Sequence, residues 1–253
     1  MLAMNSKLKK NGFSLTEVLL AVGTLAIGMI FISGTFLTGI YLSTIATERT
    51  IAAIVADEAF AKIKLYGIDP ADTDLDYDQL VSFEMLNPID ANEFTYPSTE
   101  TEFDKQYYWS ALCRRVSSDP NNRLVQVTVF ISRKVGSGTR YPGGATKPTP
   151  VQVSISMASG AGDEELTISV SGEESFINDG CTIVDNQTGQ IYRVVQRYAN
   201  APNTIRLDRA WQGGSTGSVW VIPPPIGGGK NPCIAVYQKV IGFYGSFNEV
   251  VRF

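Results

Sequence analysis

Between Val18 and Thr47 the chain carries no charged side chain. A run of that length exceeds the roughly 20 apolar residues a helix needs to cross a bilayer, so the first part of the chain must be read as a membrane segment before any soluble fold is considered. Lys7, Lys9 and Lys10 precede it and the acidic residues come well after it. By the positive-inside rule this places the N-terminus in the cytoplasm and the bulk of the chain across the membrane. The apolar run is too long for a cleaved secretory signal, whose hydrophobic core is short and followed by small residues. On hydropathy alone, a retained single-pass anchor would suffice.

Glu17 does not fit a plain anchor. A carboxylate near the start of an apolar helix costs about 2.5–3.5 kcal/mol on insertion scales, and such a group calls for a partner. Cleavage between Gly12 and Phe13 would create one, a new cationic amine at Phe13, and would leave Glu17 four residues beyond it. The run Lys9-Lys10-Asn11-Gly12-Phe13-Ser14-Leu15-Thr16-Glu17-Val18-Leu19 resembles the class III leader of type IV pilins and type II secretion pseudopilins. The resemblance implies that a prepilin peptidase cuts after Gly12 and N-methylates Phe13. It also implies that Glu17 offsets the amine of a neighbouring subunit during assembly. Gly34 stands where major subunits of that family carry a proline, and no proline occurs before Pro70, which suits a minor subunit. Residues 48–58 are similar to the helix end of I-type minor pseudopilins and of V-type minor pilins.

The helix is expected to continue to about Tyr66, with Ile51, Ile54, Val55, Ala59 and Leu65 on an apolar face and Arg49, Asp57 and Lys64 opposite. Gly67, Asp69 and Pro70 supply the stop. Residues 107–116 and 124–133 read as strands around a turn at Asp119-Pro120-Asn121-Asn122. In the second of them Val125, Val127, Val129 and Ile131 alternate with Gln126, Thr128, Phe130 and Ser132, the period of a half-buried strand. Further alternation at 151–157, a linker at 159–163, then short strands at 166–170, 181–184, 191–195, 204–207 and 218–222 predict a second β region. Residues 234–242 could return to the first sheet. The expected fold is α+β: a long N-terminal helix, transmembrane then amphipathic, packed on an antiparallel β-sheet with an additional small all-β module. The expected divisions are a leader at 1–12, the helix at 13–66, a pilin-like sheet region at 67–158, and a β module, appended or inserted, at 159–253.

The chemistry-bearing residues are sparse. Without a histidine the chain lacks the commonest general base and metal ligand. Gly213-Gly214-Ser215-Thr216-Gly217 matches the letters of a nucleophile elbow, but that device needs a strand-to-helix setting and a histidine. Gly227-Gly228-Gly229-Lys230-Asn231 lacks the Ser/Thr of a phosphate loop, and Pro232 blocks a helix start. Asp72, Asp74, Asp76 and Asp78 fail the calcium-loop pattern, which needs a glycine where Tyr77 stands and a glutamate where Phe83 stands; they read as an acidic loop. Trp109, Trp211 and Trp220 read as core anchors ahead of a sugar platform. Cys113, Cys181 and Cys233 are too far apart for a zinc motif. Buried free thiols are the plain reading; in an oxidising compartment two of them could form a disulfide, their positions leaving the pairing open. With no basic run after the first ten residues and a net charge of −4, a nucleic-acid partner is not expected. The expectation is a non-enzymatic, cofactor-free subunit. Its partners would be membrane lipid, the prepilin peptidase, an inner-membrane assembly platform and other pseudopilins or pilins. A minor pseudopilin of type II secretion, initiating or capping its filament, comes first. A minor pilin with a binding tip module is the alternative, and a membrane-tethered envelope enzyme a remote third.

Overall fold

The structure is a computed structural model that describes residues 14–98, 106–119, 121–136, 138–157 and 162–243. Gly12 and Phe13 lie outside the described residues. The chain divides into two compact units, Met1–Glu48 and Arg49–Phe253. Helix α1 (Leu15–Tyr66) contributes its first part to the first unit and the residues from Arg49 on to the second.

In the first unit none of the described residues is buried. In the second, α1 buries Ala52, Val55, Ala56, Ala59, Phe60 and Ile63, a stripe with the three- and four-residue spacing of one helical face. This corrects part of the expected face: Ile54 and Leu65 are 52% and 74% exposed. The three alanines read weakly as apolar signals, yet they let the helix axis approach the sheet closely. Gly67 ends α1 in the left-handed region at φ +76°, donating its N–H to the Ile63 carbonyl at 3.0 Å. Asn87 Nδ2 donates to the freed Tyr66 and Gly67 carbonyls, both at 3.0 Å.

The sheet under α1 has five strands. β1 (Val81–Ser82), which leads into the single-turn helix α2 (Phe83–Leu86), and β2 (Thr95–Tyr96) both pair with β3 (Tyr107–Arg115). β3 pairs with β4 (Leu124–Arg133), and β4 pairs with the last described strand, β11 (Cys233–Gly242); all pairings are antiparallel. Val125, Val127, Val129 and Ile131 of β4 meet the α1 stripe in one core with Trp109, Phe83 and Phe94.

Between β4 and β11 the chain builds a closed antiparallel barrel of six strands. These are β5 (Val151–Met157), β6 (Glu165–Ile168), β7 (Thr182–Asp185), β8 (Ile191–Tyr198), β9 (Ala201–Leu207) and β10 (Thr216–Val221), in the spatial order β10-β5-β6-β9-β8-β7. Val153, Ile155, Leu166, Ile183, Val194, Ile205 and Val219 fill its interior, so it is a packed core with no lumen, as small barrels are. The sequence-based division therefore shifts. β5 belongs to the barrel and not to the preceding sheet, whereas β11 returns to the sheet, as expected for residues 234–242. The alternation of β5 gives no sign of which partner it will take. A segment leaving and re-entering the sheet between adjacent strands is an insertion.

The barrel covers the face of the sheet opposite α1. Leu80, Leu112, Phe130, Val184 and Ile222 form a third core between them. Polar contacts lock this seam. Arg114 Nε donates to Gln126 Oε1 at 2.8 Å, and its Nη1 reaches the carbonyls of Tyr77 and Gln187. Gln238 Nε2 donates to Thr128 Oγ1 at 3.0 Å and to the Gly189 carbonyl at 2.8 Å. The β7–β8 turn presses so closely here that a Cβ on Gly189 would lie 2.5 Å from Gln126 Nε2; the glycine also sits at φ +70°. Burial lowers the Arg114 guanidinium from its ordinary value, and the Asp185 carboxylate counters the shift.

Phe130 is fully buried in that third core, whereas Leu124 on the same strand is 40% exposed. Phe130→Ala should cost about 3–5 kcal/mol and Leu124→Ala less than about 1. Urea unfolding of the full chain in detergent, followed by tryptophan fluorescence, measures both. Equal losses would contradict a covered second face.

Candidate functional site

Ser14 immediately precedes α1, and its carbonyl accepts the backbone N–H groups of Glu17 at 3.0 Å and Val18 at 3.1 Å. Glu17 therefore occupies the first turn, where the positive end of the helix dipole favours a carboxylate by about 0.3–1 kcal/mol. Beyond it Leu19, Leu20, Leu25, Ile30, Phe31 and Phe36 are each more than half exposed. This is the described helix that is long and apolar enough to cross a membrane.

The polar side chains of this segment are consistent with such surroundings. The hydroxyls of Thr24, Thr35, Thr38, Thr44 and Thr47 donate to carbonyls three or four residues earlier, at 2.9–3.0 Å. A threonine that bonds its own helix presents no unsatisfied donor to hydrocarbon. Gly23, Gly28, Gly34 and Gly39 have open space where a Cβ would stand. A shallow groove runs along Ile32, Phe36, Gly39, Ile40 and Ser43. Small residues of this kind permit close approach of a second helix in a bilayer.

The three cysteines are free and fall in three different places. Cys113 lies in the core beneath α1, Cys181 in the barrel interior, and Cys233 against the core between sheet and barrel. Burial pushes the Cys113 thiol far above its usual range. It carries Cys181 up to about 12, with Asp179 adding to the rise and backbone hydrogen bonds opposing it. Cys233 as a residue is partly exposed, yet its thiol is enclosed; burial and then the neighbouring Cys181 push it up to about 12, against a hydrogen bond to the Ala235 carbonyl.

The remaining motifs resolve into local structure. Ser215 precedes β10 in a turn folded on Trp211, whose indole N–H donates to the Gly214 carbonyl at 3.0 Å. Trp109 donates to the Glu93 carbonyl at 2.9 Å and Trp220 to Asn186 Oδ1 at 2.7 Å, so all three indoles are satisfied internally. Asp69, Asp72 and Asp76 accept the backbone N–H groups of Ala71, Asp74 and Tyr77, turn contacts made by short acidic side chains. Among the described residues no group of three or more Cys, Asp or Glu is placed to hold a metal ion.

One assembly of residues had no signal in the sequence. Arg133, Lys134, Arg140 and Lys230 line a single cleft, although the first three are separated from the last by the whole barrel. A search for basic runs cannot see a patch made by two distant segments.

All three thiols should be protonated in the native chain at pH 8, since their pKa values are raised well above it. Iodoacetamide should leave them unmodified until denaturant is added, and should then label all three without reductant. A cysteine pair that stays unlabelled after unfolding, and is released by reductant, would show a disulfide instead. Comparison of the chain with protein-family models, with curated proteins and with solved structures finds no match.

Proposed function

We propose that this chain is a minor subunit of a type IV pilin-like filament, first of all a minor pseudopilin of a type II secretion system. It acts by assembly and carries out no catalysis. The observation that carries the reading is Glu17, a carboxylate in the first turn of an exposed apolar helix whose later residues, from Ala52 to Ile63, pack on an antiparallel sheet. An anchor alone has no use for that charge. A filament in which each helix meets a neighbour's cationic N-terminus does.

On this reading the N-terminus faces the cytoplasm until the peptidase cuts at Gly12–Phe13 and methylates Phe13. The sheet and barrel lie in the periplasm. The assembly platform then draws the helix from the inner membrane into the filament, where apolar neighbours replace lipid around Leu19, Phe31 and Phe36. The groove beside Gly39 offers one of those contacts. The inserted barrel supports a second reading, a minor pilin of a surface pilus whose barrel is a binding tip module. A closed barrel with its own core can be added without altering the helix-facing side of the sheet.

Two variants test the proposal. Gly12→Val should leave an uncleaved precursor, while wild type should begin at Phe13 by mass spectrometry of the membrane protein. Glu17→Leu should insert and be cleaved normally, since the junction is unchanged. Its crosslinking to other minor subunits in native membranes should fall by about tenfold or more, because the amine loses its counter-charge in a low-dielectric setting. A mature start at Met1 in cells with active peptidase, or equal crosslinking of Glu17→Leu and wild type with full secretion or piliation, would overturn it.

A further inference from the structure

The fold sorts the three cysteines of the chain by the face of the sheet on which they stand. Cys113 is on β3 with Trp109 and Ala111, in the core beneath α1, so the sheet itself separates it from the barrel. Cys233 opens β11 opposite Ser132, and a bulge lies between that pair and the next, Ala235 with Ile131. Val236 packs on the barrel side. Unbroken alternation back from Val236 would put Ile234 on the barrel side and Cys233 beneath α1. The bulge reverses this: Ile234 joins the core under α1, and Cys233 joins the third core with Val184 of β7. Re-aiming a side chain is a recurrent use of such a bulge.

Cys181 stands directly before β7, its N–H donating to the Asn178 carbonyl at 3.2 Å and its carbonyl accepting the Val194 N–H at 2.9 Å. β7 and β11 touch, and the segments that lead into the two cysteines meet as well. Asn178 and Asp179 on one side, Lys230 and Asn231 on the other, line a single hollow. Asn231 Oδ1 accepts the Cys233 N–H at 2.8 Å, which fixes the approach to that residue. The two thiols also act on each other, since Cys181 is second only to burial in raising the Cys233 thiol. Of the three pairings that three cysteines allow, the fold therefore blocks two and brings one together.

We propose that Cys181 and Cys233 are a disulfide-forming pair, a modification site at which a thiol–disulfide oxidant ties the barrel covalently to β11 while Cys113 stays reduced. One cysteine, as thiolate, attacks the donor disulfide, giving a mixed disulfide and one donor thiol; the second displaces the other donor thiol. Two S–H bonds and the donor S–S bond break, and one S–S bond and two donor S–H bonds form. Two electrons pass from the pair to the donor. Both thiols are free and enclosed in the structure, so exchange proceeds through opened chains or during folding. The chemistry is independent of the filament reading and would stand if that reading failed.

The test uses the full chain in detergent, with a glutathione disulfide and glutathione mixture as donor and sub-denaturing urea to speed opening. After equilibration the chain is unfolded, alkylated without reductant, cut with trypsin and mapped by mass spectrometry. The untreated chain should label at all three cysteines, and the treated chain at Cys113 alone. The tryptic peptide 231–239 should then appear linked to the one that ends at Arg193 and contains Cys181. Cys113→Ala should form the same link, and Cys181→Ser should form none within the chain. Since a link that fits the native fold constrains the unfolded chain, the oxidised form should melt at or above the midpoint of the reduced one. A link that includes Cys113, glutathione adducts or links between chains in place of 181–233, no link at all, or a lower midpoint would overturn the proposal.

Discussion

β4 is the element on which the folded unit depends. Its neighbours β3 and β11 pair along both of its edges, and both of its faces are covered. Val125, Val127, Val129 and Ile131 lie under α1; Gln126, Thr128, Phe130 and Ser132 lie under the barrel. A strand buried on every side has no solvent to satisfy its polar groups, so each side chain on the second face needs a partner of its own. Gln126 finds Arg114 and Thr128 finds Gln238, whereas the Ser132 hydroxyl is buried without a partner. Those partners in turn bind the β7–β8 turn, through the Gln187 and Gly189 carbonyls. The polar residues of β4 thus couple the sheet to the barrel as well as filling space between them.

This explains why half of β4 was legible and half was not. Alternation of Val and Ile with Gln, Thr and Ser gives the strand and its two faces directly. It also suggests a wet second face, because polar residues are the ordinary mark of one. A polar face buried by an insertion carries the same letters as a polar face in water, and only the partners at 114, 187, 189 and 238 distinguish them. The expected helix face erred for a related reason. Ile54 and Leu65 weigh heavily in any apolar pattern, while Ala52 and Ala56 weigh little, yet close approach to a sheet selects the small residues. The elements themselves were largely legible, β3 and β4 to within a residue. Connectivity was not, because period-2 alternation is blind to partner choice, and the glycines around 160 read as a domain linker although they fall between the paired strands β5 and β6. The basic cleft escaped for the reason that all long-range clusters do.

The first unit obeys different rules. Its apolar side chains are as exposed as those of the second unit are buried, and in water such a surface would be far larger than a soluble monomer tolerates. Thr24, Thr35, Thr38, Thr44 and Thr47 bond carbonyls of their own helix, and Glu17 sits at the helix terminus. The glutamate is nevertheless only partly managed. A helix dipole offers a fraction of a charge, and a carboxylate moved into hydrocarbon needs a full one. That residual demand is the physical content of the filament reading, in which a cation from a neighbouring subunit would meet it.

The insertion point has a consequence for how function can be distributed. A module added at a chain end hangs from one linker, whereas this barrel is held by two crossovers and by a third core. It occupies the side of the sheet that the helix leaves open, so a change within the barrel need not disturb the packing of Val55, Phe60 or Ile63. Changes at the crossovers are also cheap in stability: Arg140 and Lys230 are exposed, and the strands on either side are fixed by the β4–β11 ladder. A surface whose side chains are free to vary, on a backbone that is not, is where binding specificity can be acquired without loss of fold.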